Sequence, residues 1–405
     1  MIVNFVIVIA ALGLAAVTLN PKFIKTDAWR ATVTPLASII GSGFLVSGPI
    51  LAHAAGDKAV VAMAGLCALA YLFGAIIRFN IINVEPILAG DPSRALKAFD
   101  RACQLALAFA YFISVAYYLN LFAAFALKAA GVVNPDATRL LSTAVIAALG
   151  VLGFARGLKS LENVELIAVG VKLALIGGLI AGLAWWVVAQ IAGARFDVSQ
   201  VNHAAGWNEI RIILGLVILV QGFETSRYLG EAYDRALRVK TMRRAQWIAT
   251  GVYIAFILLI TPHFAGRLPE HGGETAIIDM LAPLGAIVAP LIIITAISSQ
   301  ISAAVADMNG SSGLIAANGD ERLTMKWGYA VTAAAAIGVT WAANIFEIIS
   351  YASKAFVFYY GLQCATAALA AHKTRKSRVV IMPLAAFGVI AAAAVIFFGL
   401  PAEGG

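Results

Sequence analysis

The chain has 405 residues, 61% of them hydrophobic and 12% charged, with a mean hydropathy of +0.90 and a formal net charge of +8. A soluble domain carries about 25% charged residues, so a soluble globular protein is excluded, and the positive charge reads as basic loops between membrane segments rather than affinity for nucleic acid. The apolar residues come in runs of the roughly 20 residues a bilayer-crossing helix needs, and the short alternating segments of a β-barrel are absent.

Twelve spans are predicted, near 2–19, 31–54, 59–84, 103–130, 139–155, 163–190, 210–230, 245–265, 282–307, 327–343, 346–371 and 379–399. The first is apolar from its start, and Lys22, Lys25 and Arg30 follow it, so it is expected to be a retained helix rather than a signal peptide. Of the 29 basic residues, 21 fall in one set of alternate loops and six in the other (Lys58, Lys128, Arg139, Arg195, Arg211 and Arg267). That asymmetry places the first set in the cytoplasm. Both termini are then expected on the periplasmic side of a bacterial inner membrane. No loop is long enough for a soluble domain, and the longest basic connector runs from Arg227 to Arg244. Cys67, Cys103 and Cys364 lie in or beside apolar segments and are expected to pack rather than pair. No Cys/His cluster has metal-ligand spacing, and no metal or cofactor is expected.

Apolar helices hold the bilayer; function is expected where a span is interrupted or charged. The second span contains Ser38-Ile39-Ile40-Gly41-Ser42-Gly43-Phe44. Glycines at mid-membrane lower helix propensity. Unwinding there would free amides at the start of a half-helix, a position that favours a carboxylate. The alternative is close helix packing through small residues. The seventh span contains Gln221-Gly222-Phe223-Glu224-Thr225-Ser226-Arg227, where a buried acid has either a functional role or a local partner in Arg227. Lys172 lies about ten residues into the sixth span, roughly 14 Å at 1.5 Å per residue. At that depth it must pair, lose its proton or face water. In the ninth span Ser298, Ser299 and Ser302 reach a similar depth, where hydroxyls can hold Na⁺ or a lysine ammonium.

In this order and at these depths the motifs resemble the amino acid–polyamine–organocation (APC) superfamily with its LeuT-type fold. Ser38 to Phe44 resembles the broken first core helix, Gly222-Phe223-Glu224 the sixth, Glu231 to Ala245 the connector after it, and Ala303 to Ile315 the eighth. The resemblance covers about 30–371. It implies an all-α polytopic membrane protein built as a 5+5 inverted repeat, with residues 30–190 and 191–371 as the repeats. Residues 1–29 and 372–405 would each add one helix outside the core. The connector departs from the family in lacking Lys-Asn-Pro, and Ser226-Arg227-Tyr228 is also unusual there.

The resemblance further implies a secondary transporter, not an enzyme, that carries an amino acid or small amine by alternating access. Gly41, Ser42 and Gly43 would bind its carboxylate, and Ser38 would belong to the same substrate site. Gln221, Gly222, Phe223, Thr225 and Tyr117 would line the other side. Lys172 resembles the fifth-helix lysine of proton-coupled members, and with Glu224 it would couple transport to protons; Ser298, Ser299 and Ser302 would form the place of a sodium ion in other members. The expected partners are therefore the solute, protons (with Na⁺ or K⁺ as alternatives) and the lipid bilayer. A K⁺ transporter of the same fold, a channel and a non-transporting sensor are the alternatives. Lys354, Glu347 and Asp307 receive no role from the sequence.

Overall fold

The computed structural model describes residues 2–158, 162–193, 206–230, 232–263, 273–319, 324–371 and 375–402. Its helices, in chain order, are α1 (Ile2–Thr18), α2 (Pro21–Ile24), α3 (Asp27–Ala55), α4 (Ala59–Asn83), α5 (Glu85–Ala89), α6 (Arg94–Ala129), α7 (Pro135–Arg156), α8 (Glu162–Ala192), α9 (Trp207–Leu214), α10 (Arg235–Ile260), α11 (Ala276–Leu281), α12 (Val288–Asn318), α13 (Met325–Ala342), α14 (Ile345–Ala371) and α15 (Arg375–Phe398). Two 3-10 segments, Val217–Val220 and Phe223–Tyr228, continue the line of α9. Among the described residues there is no strand. Among the described residues, eight helices are long and apolar enough to cross a membrane. The predicted spans overlap these helices or the interrupted run from α9 to Tyr228, with the ninth, predicted near 282–307, displaced to Val288–Asn318.

The helix starts carry local signals. The side chains of Thr26, Ser93, Asn134 and Asp234 accept the first free amides of α3, α6, α7 and α10. Between starts, apolar side chains face one another and the lipid. The apolar stretch of α3 is enclosed by protein, whereas α7 and α15 leave most of theirs outward, which marks centre and periphery. Helix α6 runs between α12 and α14, and α10 lies along α3 and α4.

The extra N-terminal helix α1 lies on α8. Gly170, Gly177, Gly178 and Gly182 form the seat. A Cβ at Gly178 would stand 2.8 Å from the Ile7 carbonyl oxygen and 2.9 Å from the Ala11 Cβ. Small residues let the two backbones approach, which is how helices associate in lipid without a hydrophobic driving force. Thr18 adds a hydroxyl bond of 2.9 Å to the Gly170 carbonyl. Helix α15 covers α14 at the other edge, and its end returns to α9, where the Leu400 amide donates to the Arg211 carbonyl at 2.9 Å.

One expectation is corrected. The interruption predicted at Gly41 to Gly43 is not observed: α3 is a continuous helix from Asp27 to Ala55. Its glycines serve approach instead. A Cβ at Gly43 would lie 2.6 Å from the Leu219 Cα, and one at Gly41 would lie 3.3 Å from the Ala303 Cβ. An unbroken helix keeps its amides in its own hydrogen bonds, so Gly41, Ser42 and Gly43 offer no free N–H groups to a carboxylate.

Gly178→Leu is expected to unseat α1 and to lower the thermal unfolding midpoint in detergent, at a cost of about 1–3 kcal/mol for overpacking. Gly13→Leu, on the same helix at a position with nothing within 4 Å, should leave the midpoint unchanged.

Candidate functional site

The interruption that does occur is at Gln221 and Gly222, between the two 3-10 segments. Gly222 has φ +118°, a backbone conformation that side-chain-bearing residues rarely adopt. A Cβ there would also meet Ser38 Oγ at 2.5 Å and the Ile39 amide nitrogen at 2.7 Å, so the break presses against α3. The break strands polar backbone groups in an apolar interior, where each must find a partner. Side chains from other helices supply them. Ser353 on α14 accepts from the Ile218 amide at 2.9 Å and donates to the Gly215 carbonyl at 2.7 Å. Tyr253 on α10 donates to the Leu219 carbonyl and, at 2.9 Å, to the Ile39 carbonyl of α3. Thr225 donates to the Gly222 carbonyl at 2.8 Å.

Glu224 is fully buried just past the break. One carboxylate oxygen accepts from the Gly222 amide at 2.9 Å and from the Tyr360 hydroxyl at 2.8 Å; the other has no hydrogen-bond partner among the described residues. Phe223 stacks on Tyr360 with ring centroids 5.1 Å apart, and Tyr360 stacks in turn on Phe73 at 4.9 Å. Gln221 donates to the Tyr118 hydroxyl at 2.8 Å, and its own amide oxygen is another unmatched buried acceptor. Tyr117 packs beside Tyr118, with centroids 5.2 Å apart. Gln221 to Thr225 thus lie beside Ser38 of α3 and Tyr118 of α6, with Tyr117 packed next to Tyr118.

Lys172 is buried on the other side of α3. Its ammonium donates to the Ala37 carbonyl at 3.0 Å and faces Gly41, where a Cβ would stand 3.5 Å from Nζ. The Ser299 carbonyl of α12 lies against the same glycine. Lys172, Gly41 and Ser299 therefore converge between α8, α3 and α12. Ser298 does not join them; its hydroxyl donates to the Ile294 carbonyl of its own helix. Ser302 is half-buried on α12, and the side chain of Ser42 lies outside the described residues.

Asp307, which received no role from the sequence, is buried on α12, and Ser114 of α6 donates to it. Its second oxygen has no hydrogen-bond partner among the described residues. Asp307 lies within electrostatic range of Glu224, and Tyr111 and Tyr118 of α6 lie within range of both acids. Tyr111, Ser114 and Tyr118 share one helix face by their spacing. An acid within a membrane helix is the available sequence signal; its pairing with α6 is invisible there, because Ser114 and Asp307 are 193 residues apart. Glu347 instead closes a turn, accepting from the Asn344 amide at 2.8 Å, and no ion pair joins it to Lys354 among the described residues.

Arg227 is not the partner of Glu224. It pairs with Asp100 at 2.7 Å and donates to Gln363. Arg238 pairs with Glu85 at 2.6 Å and donates to the Arg227 carbonyl at 2.7 Å. These bonds tie the segment after the break to α5, α6 and α14 at the end of the protein rich in basic residues.

An interrupted run beside buried charges on closely packed apolar helices is the arrangement from which membrane transporters build a solute site. A sequence model described as an APC superfamily transporter matches residues 21–399. The chain belongs to the APC superfamily. A protein of Aquifex aeolicus (strain VF5) described as "Uncharacterized protein" is 42% identical over 349 residues, 85% of this chain and 84% of that protein. Among solved structures, MhsT in complex with L-phenylalanine aligns with a TM-score of 0.61 at 12% identity, over 93% of this chain and 99% of that one. A Na⁺-coupled sialic acid symporter aligns at 0.55 and 12%, over 98% and 96%. Mhp1, a nucleobase-cation-symport-1 family transporter in a closed conformation with bromovinylhydantoin bound, aligns at 0.54 and 14%, over 91% of each chain. The fold is therefore of LeuT type, and the protein is a multi-pass membrane transporter rather than an enzyme.

Ser353→Ala is expected to leave the Ile218 amide and the Gly215 carbonyl without this partner and to destabilise the protein by about 1–3 kcal/mol. Thermal unfolding measures it. Asp100→Asn should weaken the closure at the basic end; a cysteine placed at Ser226, which is buried, should then react faster with a soluble maleimide.

Proposed function

We propose that the protein moves a small solute, an amino acid or small amine, across the bacterial inner membrane in exchange for the energy of a proton gradient. The observation that carries this reading is the Lys172 ammonium held at the Ala37 carbonyl and facing Gly41, the glycine on which the Ser299 carbonyl also lies. A fixed cation there joins α8 to α3 where α12 packs on both. Loss of its proton removes the charge that holds α8 to α3, so protonation and helix arrangement are linked.

The solute is read as occupying the space bounded by Ser38, Gln221 to Thr225 and the α6 tyrosines. The unmatched oxygens of Gln221 and Glu224 are hydrogen-bond acceptors, which suits the amino group of a solute. Glu224 then senses both solute and proton. The carboxylate role read for Gly41 to Gly43 requires α3 to unwind and is not carried further. Alternating access follows if the ion pairs of Arg227 and Arg238 open on the basic, cytoplasmic side while the opposite end closes. Both termini then face the periplasm. The named solutes of the structural neighbours, L-phenylalanine, a sialic acid and a hydantoin, are too diverse to select one for this chain.

The test is uptake into proteoliposomes, read as current on a solid-supported membrane, with pooled amino acids and amines. A saturable current that grows with an inward proton gradient and disappears in Lys172→Ala is expected, and dividing the pool identifies the solute. Silence from every pool, with protein that unfolds cooperatively, would overturn the amino-acid reading and bring K⁺ forward.

A further inference from the structure

A cleft of about 640 Å³ opens at the basic end, between the start of α3 and the start of α10. One wall is aromatic: Phe23 and Trp29, with ring centroids 4.4 Å apart. The other wall is Lys240, Arg243, Arg244 and Trp247 of α10. The spacing of these four residues puts them on one helix face, and all four are exposed. Like charges three and four residues apart on a helix repel one another. Arg235 and Arg238 of the same helix are matched by Glu85, at 3.5 and 2.6 Å. Among the described residues no carboxylate stands within ion-pair reach of Lys240, Arg243 or Arg244. Three cations gathered in a concave space without an acid call for an anion from outside the chain.

The sequence of α10 says where that anion lies. Five of its first ten residues are basic, and none of the following sixteen is charged. The helix therefore enters the hydrocarbon at about Ala245. The cleft straddles this boundary, with Trp247 60% exposed and Ile248 40% exposed just beyond the cations. A tryptophan at such a boundary sits at headgroup level. Phosphate is the chemistry that guanidinium and ammonium groups recognise together, and a phosphate that also carries an apolar chain matches both halves of the lining.

We infer that this cleft binds the phosphate headgroup of an anionic phospholipid, with Lys240, Arg243 and Arg244 on the phosphate and Trp247 and Ile248 along the acyl chain. The lipid would join the start of α3 to α10. The inference is independent of the solute and of the coupling ion.

Full-length protein is reconstituted in phosphatidylcholine nanodiscs containing phosphatidylglycerol, and retained lipid is read by native mass spectrometry after transfer to detergent. Wild type is expected to retain phosphatidylglycerol in preference to phosphatidylcholine. The K240Q/R243Q/R244Q variant should bind it roughly a hundredfold more weakly. R94Q/R156Q/K326Q, which removes the same charge from exposed positions elsewhere, should retain it. If the triple variant does not fold, K240Q and R244Q singly should each show about a fivefold loss. Equal retention in the cleft variants, equal loss in the control, or displacement of the lipid by inorganic phosphate, the mark of a free-anion site, would overturn the inference.

Discussion

Inside a bilayer, water cannot satisfy a broken helix, and the centre of this protein is organised around that constraint. Gly222 turns the chain where a helix would continue, and the freed backbone groups are taken by Ser353, Tyr253 and Thr225. Two of these side chains come from α14 and α10, so the break binds separate helices to one another. Tyr253 also reaches the Ile39 carbonyl, which fixes the break to α3. Removing any one partner would leave a polar group in hydrocarbon, and this is why the irregular segment is well buried.

The charged groups around the break belong to two layers. Deep in the protein, Glu224, Asp307 and Lys172 sit among tyrosines, glycines and carbonyls, and several of their neighbours are unmatched acceptors. Such groups are costly in a membrane interior, so each must be matched or face a polar space. At the basic end, Arg227 and Arg238 are matched by Asp100 and Glu85 with short, well-directed contacts. A buried ion pair adds less to stability than to specificity of arrangement. Here the two pairs define one arrangement of the segment after the break relative to α5 and α6, and a different arrangement would need a different set of partners.

Helices α1 and α15, first and last in the chain, are integrated with the rest of the bundle. The glycine face of α8 receives α1, while the opposite side of the same helix presents Lys172 to α3. Any shift of α8 against α3 therefore takes α1 along or slides across that seat. The end of α15 meets α9 through Arg211, whose guanidinium donates to the Phe398 carbonyl at 3.1 Å. Both additions thus touch elements that border the candidate site.

The membrane class and the positions of the spans were legible in the sequence because apolar run length is a one-dimensional property with a fixed bilayer thickness to match. The break at Gly222 and the burial of Lys172 and Glu224 were legible for the same reason: a glycine beside an acid, or a lone lysine, is conspicuous in an apolar run. The tertiary structure decided what those features do. Gly41-Ser42-Gly43 and Gly222 look alike as text, yet α3 stays helical, its glycines used for contact with Leu219 and Ala303, while the Gly222 segment turns where Ser353 and Tyr253 are present to satisfy it. Arg227 lies three residues from Glu224 in sequence but pairs with Asp100 of α6, 127 residues away, while Glu224 is bonded by Tyr360 of α14: a 3-10 path aligns side chains three residues apart, and partners on distant helices decide what each one meets. Spacing along one helix tells which residues share a face; which face meets which partner depends on the packing of helices distant in the chain.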